Sequence, residues 1–205
     1  MRILLGVLCW LLASSALAAE TRNLLVLGDS LSAAYNMPVA QGWVSLLSAR
    51  LQDAPKGKAQ PWQVVNASIS GETTSGGLAR LPQALTEHRP AVVLIELGAN
   101  DGLRGLPLQQ TRANLDRMIK AAQAAGARVG LIGIELPVNY GQAYRDRFRQ
   151  MYQDLAQQHQ VPLLPFLLVD VAEDIGNFQD DQVHPTSAAQ PIIMETVWAW
   201  LEPWL

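Results

Sequence analysis

Five short apolar runs, separated by stretches of helical periodicity, restrict the fold of this chain more than any other feature of its sequence. The runs cover residues 24–27, 64–66, 92–96, 129–134 and 162–164. Between them apolar side chains recur three and four positions apart: Trp43, Leu46, Leu47 and Leu51, then Leu115, Met118, Ile119 and Ala122, then Tyr144, Phe148, Met151, Tyr152 and Leu155. Strands that are apolar throughout, rather than alternating, are buried on both faces, as in a parallel sheet covered by helices. The expectation is a three-layer α/β/α domain. Gly126 is placed to end the second of these helices, and Pro185 to open a last one running through Ile192, Ile193, Thr196 and Val197.

The first residues stand apart. Arg2, an apolar run from Ile3 to Leu12 and the small residues up to Ala18 read as a secretory signal peptide. That run is too short to span a bilayer comfortably. The predicted organisation is a signal peptide over residues 1–18 and a single domain over residues 19–205. Cys9, the only cysteine, falls in the peptide, so the exported domain has no disulfide. The formal charge of −3, with three scattered lysines (Lys56, Lys58, Lys120), gives no basic patch for a nucleic acid. No later segment is long and apolar enough to span a membrane, which predicts a periplasmic or secreted protein. Metal-ligand spacing, calcium loops, phosphate loops and dinucleotide fingerprints are missing, so no metal or cofactor is expected.

In a parallel sheet the ligand site lies outside the carboxyl ends of the strands. The polar residues of this sequence gather there. Gly28, Asp29 and Ser30 follow the first run, Ser70 and Gly71 the second, Asn100 and Asp101 the third, and Asp181 and His184 the fifth. Ser30 is a candidate nucleophile, which needs an imidazole to take its proton; helix capping is the other role open to it. Ser32 stands where a Gly-x-Ser-x-Gly elbow requires glycine, which disfavours the α/β-hydrolase fold. Of the three histidines, His88 and His159 sit at helix ends, and only His184 has a carboxylate at a useful offset. Asp181 is preferred to Asp180 as its partner on spacing. Gly71 and Asn100 are candidate oxyanion donors, with turn-forming roles as the alternative.

Four blocks carry a resemblance over nearly the whole exported chain: Gly28-Asp29-Ser30-Leu31-Ser32, Gly71 within Ser70-Gly71-Glu72-Thr73, Gly98-Ala99-Asn100-Asp101, and Asp181-Gln182-Val183-His184-Pro185. In that order they resemble the SGNH (GDSL) hydrolases. Residues 66–73, 78–82, 96–105 and 136–141 are similar to the bacterial periplasmic thioesterase I/protease I/lysophospholipase L1 group and its arylesterase relatives. The resemblance implies a flavodoxin-like five-stranded sheet in the order 2-1-3-4-5. It also implies a Ser30–His184–Asp181 triad, and an oxyanion hole from Ser30, Gly71 and Asn100. The substrate range it implies is broad: short and medium acyl esters, aryl esters, acyl thioesters and lysophospholipids. Glu135 departs from the group; a carboxylate facing the cleft would disfavour anionic substrates and thioester turnover.

Leu103, Leu106 and Leu108 follow Asn100 and are expected to line the acyl groove, with core packing as the alternative for Leu108. Carbohydrate O-deacetylation and a non-catalytic binding role are the competing functions. The tail with Trp198, Trp200 and Trp204 is open to core packing, dimer contact or membrane contact.

Overall fold

The computed structural model describes residues 21–53 and 62–205. The predicted signal peptide, Cys9, Lys56 and Lys58 lie outside the described residues. Five parallel strands form the sheet: β1 (Arg22–Gly28), β2 (Trp62–Asn66), β3 (Val92–Glu96), β4 (Arg128–Ile132) and β5 (Leu163–Leu164). Their order is β2-β1-β3-β4-β5, as the resemblance implies. β1 and β3 are central: Leu24–Leu27 and Val92–Ile95 are fully buried, which is why these runs are apolar on both faces.

Helix α1 (Trp43–Gln52) packs with α6 (Gln190–Leu201) on one face of the sheet. On the other, α4 (Leu108–Ala124) packs between α2 (Thr74–His88) and α5 (Gln142–His159). A short helix, α3 (Ala99–Leu103), leads from β3 toward α4. The predicted helical stripes supply the core, with Trp43, Leu47, Leu115, Ile119, Phe148 and Leu155 nearly or fully buried.

The last helix begins later than Pro185. Phe178 and Pro185 form an antiparallel bridge, and the Thr186 N–H donates to the Asn177 carbonyl at 2.7 Å. These contacts commit residues 184–186 to a loop pairing, so the helix opens at Gln190 with Pro191 in its first turn. The tryptophan tail is packed: Trp198, Trp200 and Trp204 lie against the core, and Trp200 meets Trp204 edge to face with centroids 5.2 Å apart. No described helix is long and apolar enough to cross a membrane.

Candidate active site

β1 ends in a tight turn at Gly28. A Cβ there would stand 2.7 Å from Glu96 Oε2 and 2.8 Å from Ser32 Cβ, so only glycine lets the strand pass. The turn leaves Ser30 partly exposed beyond the end of β1 and turns Asp29 inward. Asp29 is fully buried. One of its carboxylate oxygens accepts from the Leu31 N–H at 3.1 Å, the other from the Asn100 side-chain amide at 3.0 Å.

His184 reaches this turn from a sequence distance of 154 residues, with its Nε2 2.8 Å from Ser30 Oγ. Its Nδ1 lies 2.6 Å from Asp181 Oδ2, while Asp181 Oδ1 accepts from the Val183 and His184 N–H groups, each at 2.9 Å. The carboxylate three residues before the imidazole thus fixes both the ring and the backbone that carries it. Asp180 does not take this role. The Tyr35 ring lies against the imidazole with centroids 4.2 Å apart. Gln179 ties the two loops together. Its backbone N–H donates to the His184 carbonyl at 2.8 Å, and its side-chain amide to the Pro185 and Tyr35 carbonyls at 3.0 and 3.1 Å. Its side-chain oxygen accepts from Asn36 at 3.1 Å.

Gly71 comes from the loop after β2 and Asn100 from the first turn of α3 after β3, the two strands that flank β1. Gly71 has φ +78°, a left-handed conformation that favours glycine. Arg104 joins the two positions: one guanidinium nitrogen donates to the Gly71 carbonyl at 2.9 Å and reaches Asn100 Oδ1 at 3.5 Å. Beside them the buried Asp101 carboxylate accepts from the Thr74 N–H at 2.8 Å and the Thr74 hydroxyl at 2.5 Å. It therefore satisfies a buried amide at the start of α2 that no helical carbonyl reaches, and holds α3 against it. Arg80 bridges Glu72 at 2.7 Å and the Ala67 carbonyl at 3.0 Å, bracing the Gly71 loop from behind.

The buried electrostatics lie under Ser30. Glu96, fully buried at the end of β3, accepts through Oε2 from the Ser32 hydroxyl at 2.7 Å and the Asp29 N–H at 3.3 Å. Burial, with the neighbouring Asp29 carboxylate adding to it, pushes the Glu96 carboxyl well above the ordinary range. Burial likewise raises Asp29 to about 6, although the Leu31 N–H, the Asn100 amide and His184 pull it down. Asp181 goes the other way. Desolvation is the largest single influence and raises it, but the His184 and Val183 N–H bonds and the imidazole together outweigh it and bring it to about 2. Glu96, Arg104, Tyr35 and Gln179 were not readable as site residues from spacing, because each acts through a contact that exists only once distant loops meet.

A cavity of about 410 Å³ opens beside Ser30 and His184, its apolar wall including Leu31, Leu103, Ile134, Leu136, Phe166 and Phe178. Of the three predicted groove residues only Leu103 lines it. Leu106 and Leu108 face a neighbouring groove with Tyr144 and Met151, because the chain reverses after α3 at Gly105, φ +64°. Glu135 does face the cavity. It is not a bare negative charge, however: Arg145 lies 3.5 Å and Arg149 3.1 Å from its carboxylate oxygens. Among the described residues no group of three or more His, Cys, Asp or Glu is placed to hold a metal ion.

The GDSL-like lipase/acylhydrolase family profile matches residues 26–191, a span that contains every residue of this constellation. The chain belongs to that family. GDSL-family enzymes are serine hydrolases acting on esters. Among its members, esterase TesA of Pseudomonas aeruginosa is 49% identical, covering 99% of this chain and 98% of the relative. An arylesterase of Vibrio mimicus is 48% identical over 96% of this chain and 95% of its own. The thioesterase 1/protease 1/lysophospholipase L1 of Escherichia coli is 45% identical over 94% and 88%. A crystal structure of TesA superposes with a TM-score of 0.85 at 49% identity, covering 90% of this chain and all (100%) of that one.

Proposed function

We propose that this GDSL-family protein is a serine esterase cleaving short and medium acyl esters, aryl esters and acyl thioesters, and lysophospholipids as larger acyl donors. The carrying observation is the unbroken hydrogen-bonded line Asp181–His184–Ser30, at 2.6 and 2.8 Å, opening onto an apolar cavity. In this reading Asp181 holds the imidazole in the tautomer that leaves Nε2 free to accept the Ser30 proton. Ser30 Oγ attacks the acyl carbonyl. The negative charge on the carbonyl oxygen is met by the Ser30 and Gly71 N–H groups and the Asn100 amide. The imidazolium then protonates the departing alcohol or thiol, and the same ring activates the water that releases the acid. No metal or cofactor takes part in this course.

The low pKa of Asp181 fits its part, since a carboxylate that stays ionised stabilises the imidazolium throughout. A fluorophosphonate probe tests the nucleophile: parent protein labels and Ser30→Ala does not. Labelling of Ser30→Ala at the parent rate would remove Ser30 from the reaction. An acyl-length series of p-nitrophenyl esters and acyl thioesters then reads the substrate class.

Export belongs to the same proposal. Residues 1–18 act as a signal peptide, and the working enzyme begins near residue 19 in the periplasm or outside the cell. The intact mass of protein recovered from a periplasmic extract checks this; a mass that still includes residues 1–18 would count against it.

A further inference from the structure

The charged cluster on the wall of the apolar cavity is the feature that the acyl-transfer chemistry leaves unexplained. Glu135 and Arg145 both line the cavity that opens at Ser30. Arg145 is held from two sides: its Nε donates to the Leu136 carbonyl at 2.8 Å, and a terminal nitrogen lies 3.5 Å from Glu135 Oε2. Arg149 donates to Glu135 Oε1 at 3.1 Å and lies 3.4 Å from Asp146. Arg149 thus has a second carboxylate partner, whereas Glu135 is the only carboxylate on Arg145 among the described ion pairs. The two side chains are only 31% and 18% exposed, so the pair sits where screening is reduced.

The position of the pair along the sheet sets what it meets. Ser30 follows β1, Asn100 follows β3, and Glu135 follows β4, two strands from β1. With strands about 4.8 Å apart, the cluster stands roughly 10 Å across from the nucleophile. An acyl chain of about six carbons bound to Ser30 spans most of that distance, and a polar group at its end lies within hydrogen-bond reach of the rest.

The geometry points to Glu135 as a specificity-determining residue that cancels the charge of Arg145 and so reserves the cavity for uncharged acyl chains. This inference rests on the esterase reading. Without its carboxylate partner Arg145 would remain tethered to the Leu136 carbonyl, presenting a guanidinium to the end of the chain. A distal carboxylate is the group a guanidinium pairs with best. The substrate class excluded by Glu135 is therefore the half-ester of a medium-length dicarboxylic acid.

The test compares p-nitrophenyl hexanoate with the mono-p-nitrophenyl ester of adipic acid, and reads the ratio of the two kcat/KM values. The parent favours hexanoate. Glu135→Gln is expected to move the ratio toward adipate by about tenfold. The double variant Glu135→Gln/Arg145→Met is expected to return it to the parent value. Arg145→Met alone leaves Glu135 facing the cavity and moves the ratio further toward hexanoate. A ratio unchanged in Glu135→Gln overturns the inference, and so does an adipate gain that persists in the double variant. Competitive inhibition of hexanoate turnover by adipate, stronger for Glu135→Gln than for the parent, gives a second reading independent of turnover of the charged ester. Failure of the parent to hydrolyse hexanoate would instead remove the esterase reading itself.

Discussion

Glu96 sits directly under Asp29, with Glu96 Oε2 accepting both the Asp29 N–H at 3.3 Å and the Ser32 hydroxyl at 2.7 Å. A fully buried carboxyl beside a second carboxyl is held neutral far more readily than charged. Its task is to shape the Ser30 turn from below. Glu96→Gln keeps an oxygen for Ser32 and removes only the titration, so most of kcat/KM should survive. Glu96→Ala leaves two buried donors unsatisfied and a void, at a cost of about 2–4 kcal/mol. Urea unfolding of the two variants separates these outcomes; equal loss in both would mean that the charged form is required.

Asp29 gives the fold an inverted pH response. Its folded-state pKa of about 6 lies above the ordinary value of 3.8, so the proton is bound more tightly in the folded state. The stability this confers is complete below pH 3.8 and is lost as pH rises through 6. Asp29→Asn has no such titration. The Tm of the parent relative to Asp29→Asn should fall between pH 4 and pH 7, by roughly 2–4 °C per kcal/mol in a domain of this size. A constant difference across that range would contradict the buried, titrating Asp29.

Removing a single oxyanion donor lowers turnover by about 10²–10³. Asn100→Ala should fall in that interval on p-nitrophenyl esters with little change in KM. A loss confined to KM would place Asn100 in ground-state binding instead.

Arg104 touches the Gly71 carbonyl and the Asn100 side chain without reaching the nucleophile. Arg104→Met should lower kcat about tenfold, less than deletion of a donor, because both donors persist but lose a common anchor. A loss as deep as that of Asn100→Ala would mean that Arg104 meets the substrate directly.

Leu103 and Leu106 should separate in a chain-length series. Leu103 lines the cavity beside Ser30, and Leu106 faces the adjacent groove. Leu103→Trp should shift preference toward shorter acyl esters, whereas Leu106→Ser should leave the profile where it was. The opposite pattern would place the acyl chain along Leu106 instead.

The layers and the central strands were legible in the sequence because β1 and β3 are buried on both faces, leaving Leu24–Leu27 and Val92–Ile95 no polar positions. Helix α2 was harder to see: Gly76, Gly77 and Pro82 dilute its apolar spacing, and its start is fixed by Asp101 from α3. Pro185 resembles a helix opener until Phe178 pairs with it. Ser30, Asp181, His184, Gly71 and Asn100 could be chosen because polar residues after apolar strands gather at one edge. Glu96 could not, since a glutamate closing a strand normally points to solvent. The direction of residues 103–108 depends on the left-handed turn at Gly105, which periodicity does not encode.

Gln179 grips the His184 loop through its backbone and the Tyr35–Asn36 loop through its side chain. The spacing of serine and imidazole is thereby fixed by a local clasp rather than by the long path through the sheet. Heating that frays β5 or the end of α6 should leave the two groups aligned until the clasp itself opens. Loss of turnover on warming would then coincide with its release and precede melting of the central strands.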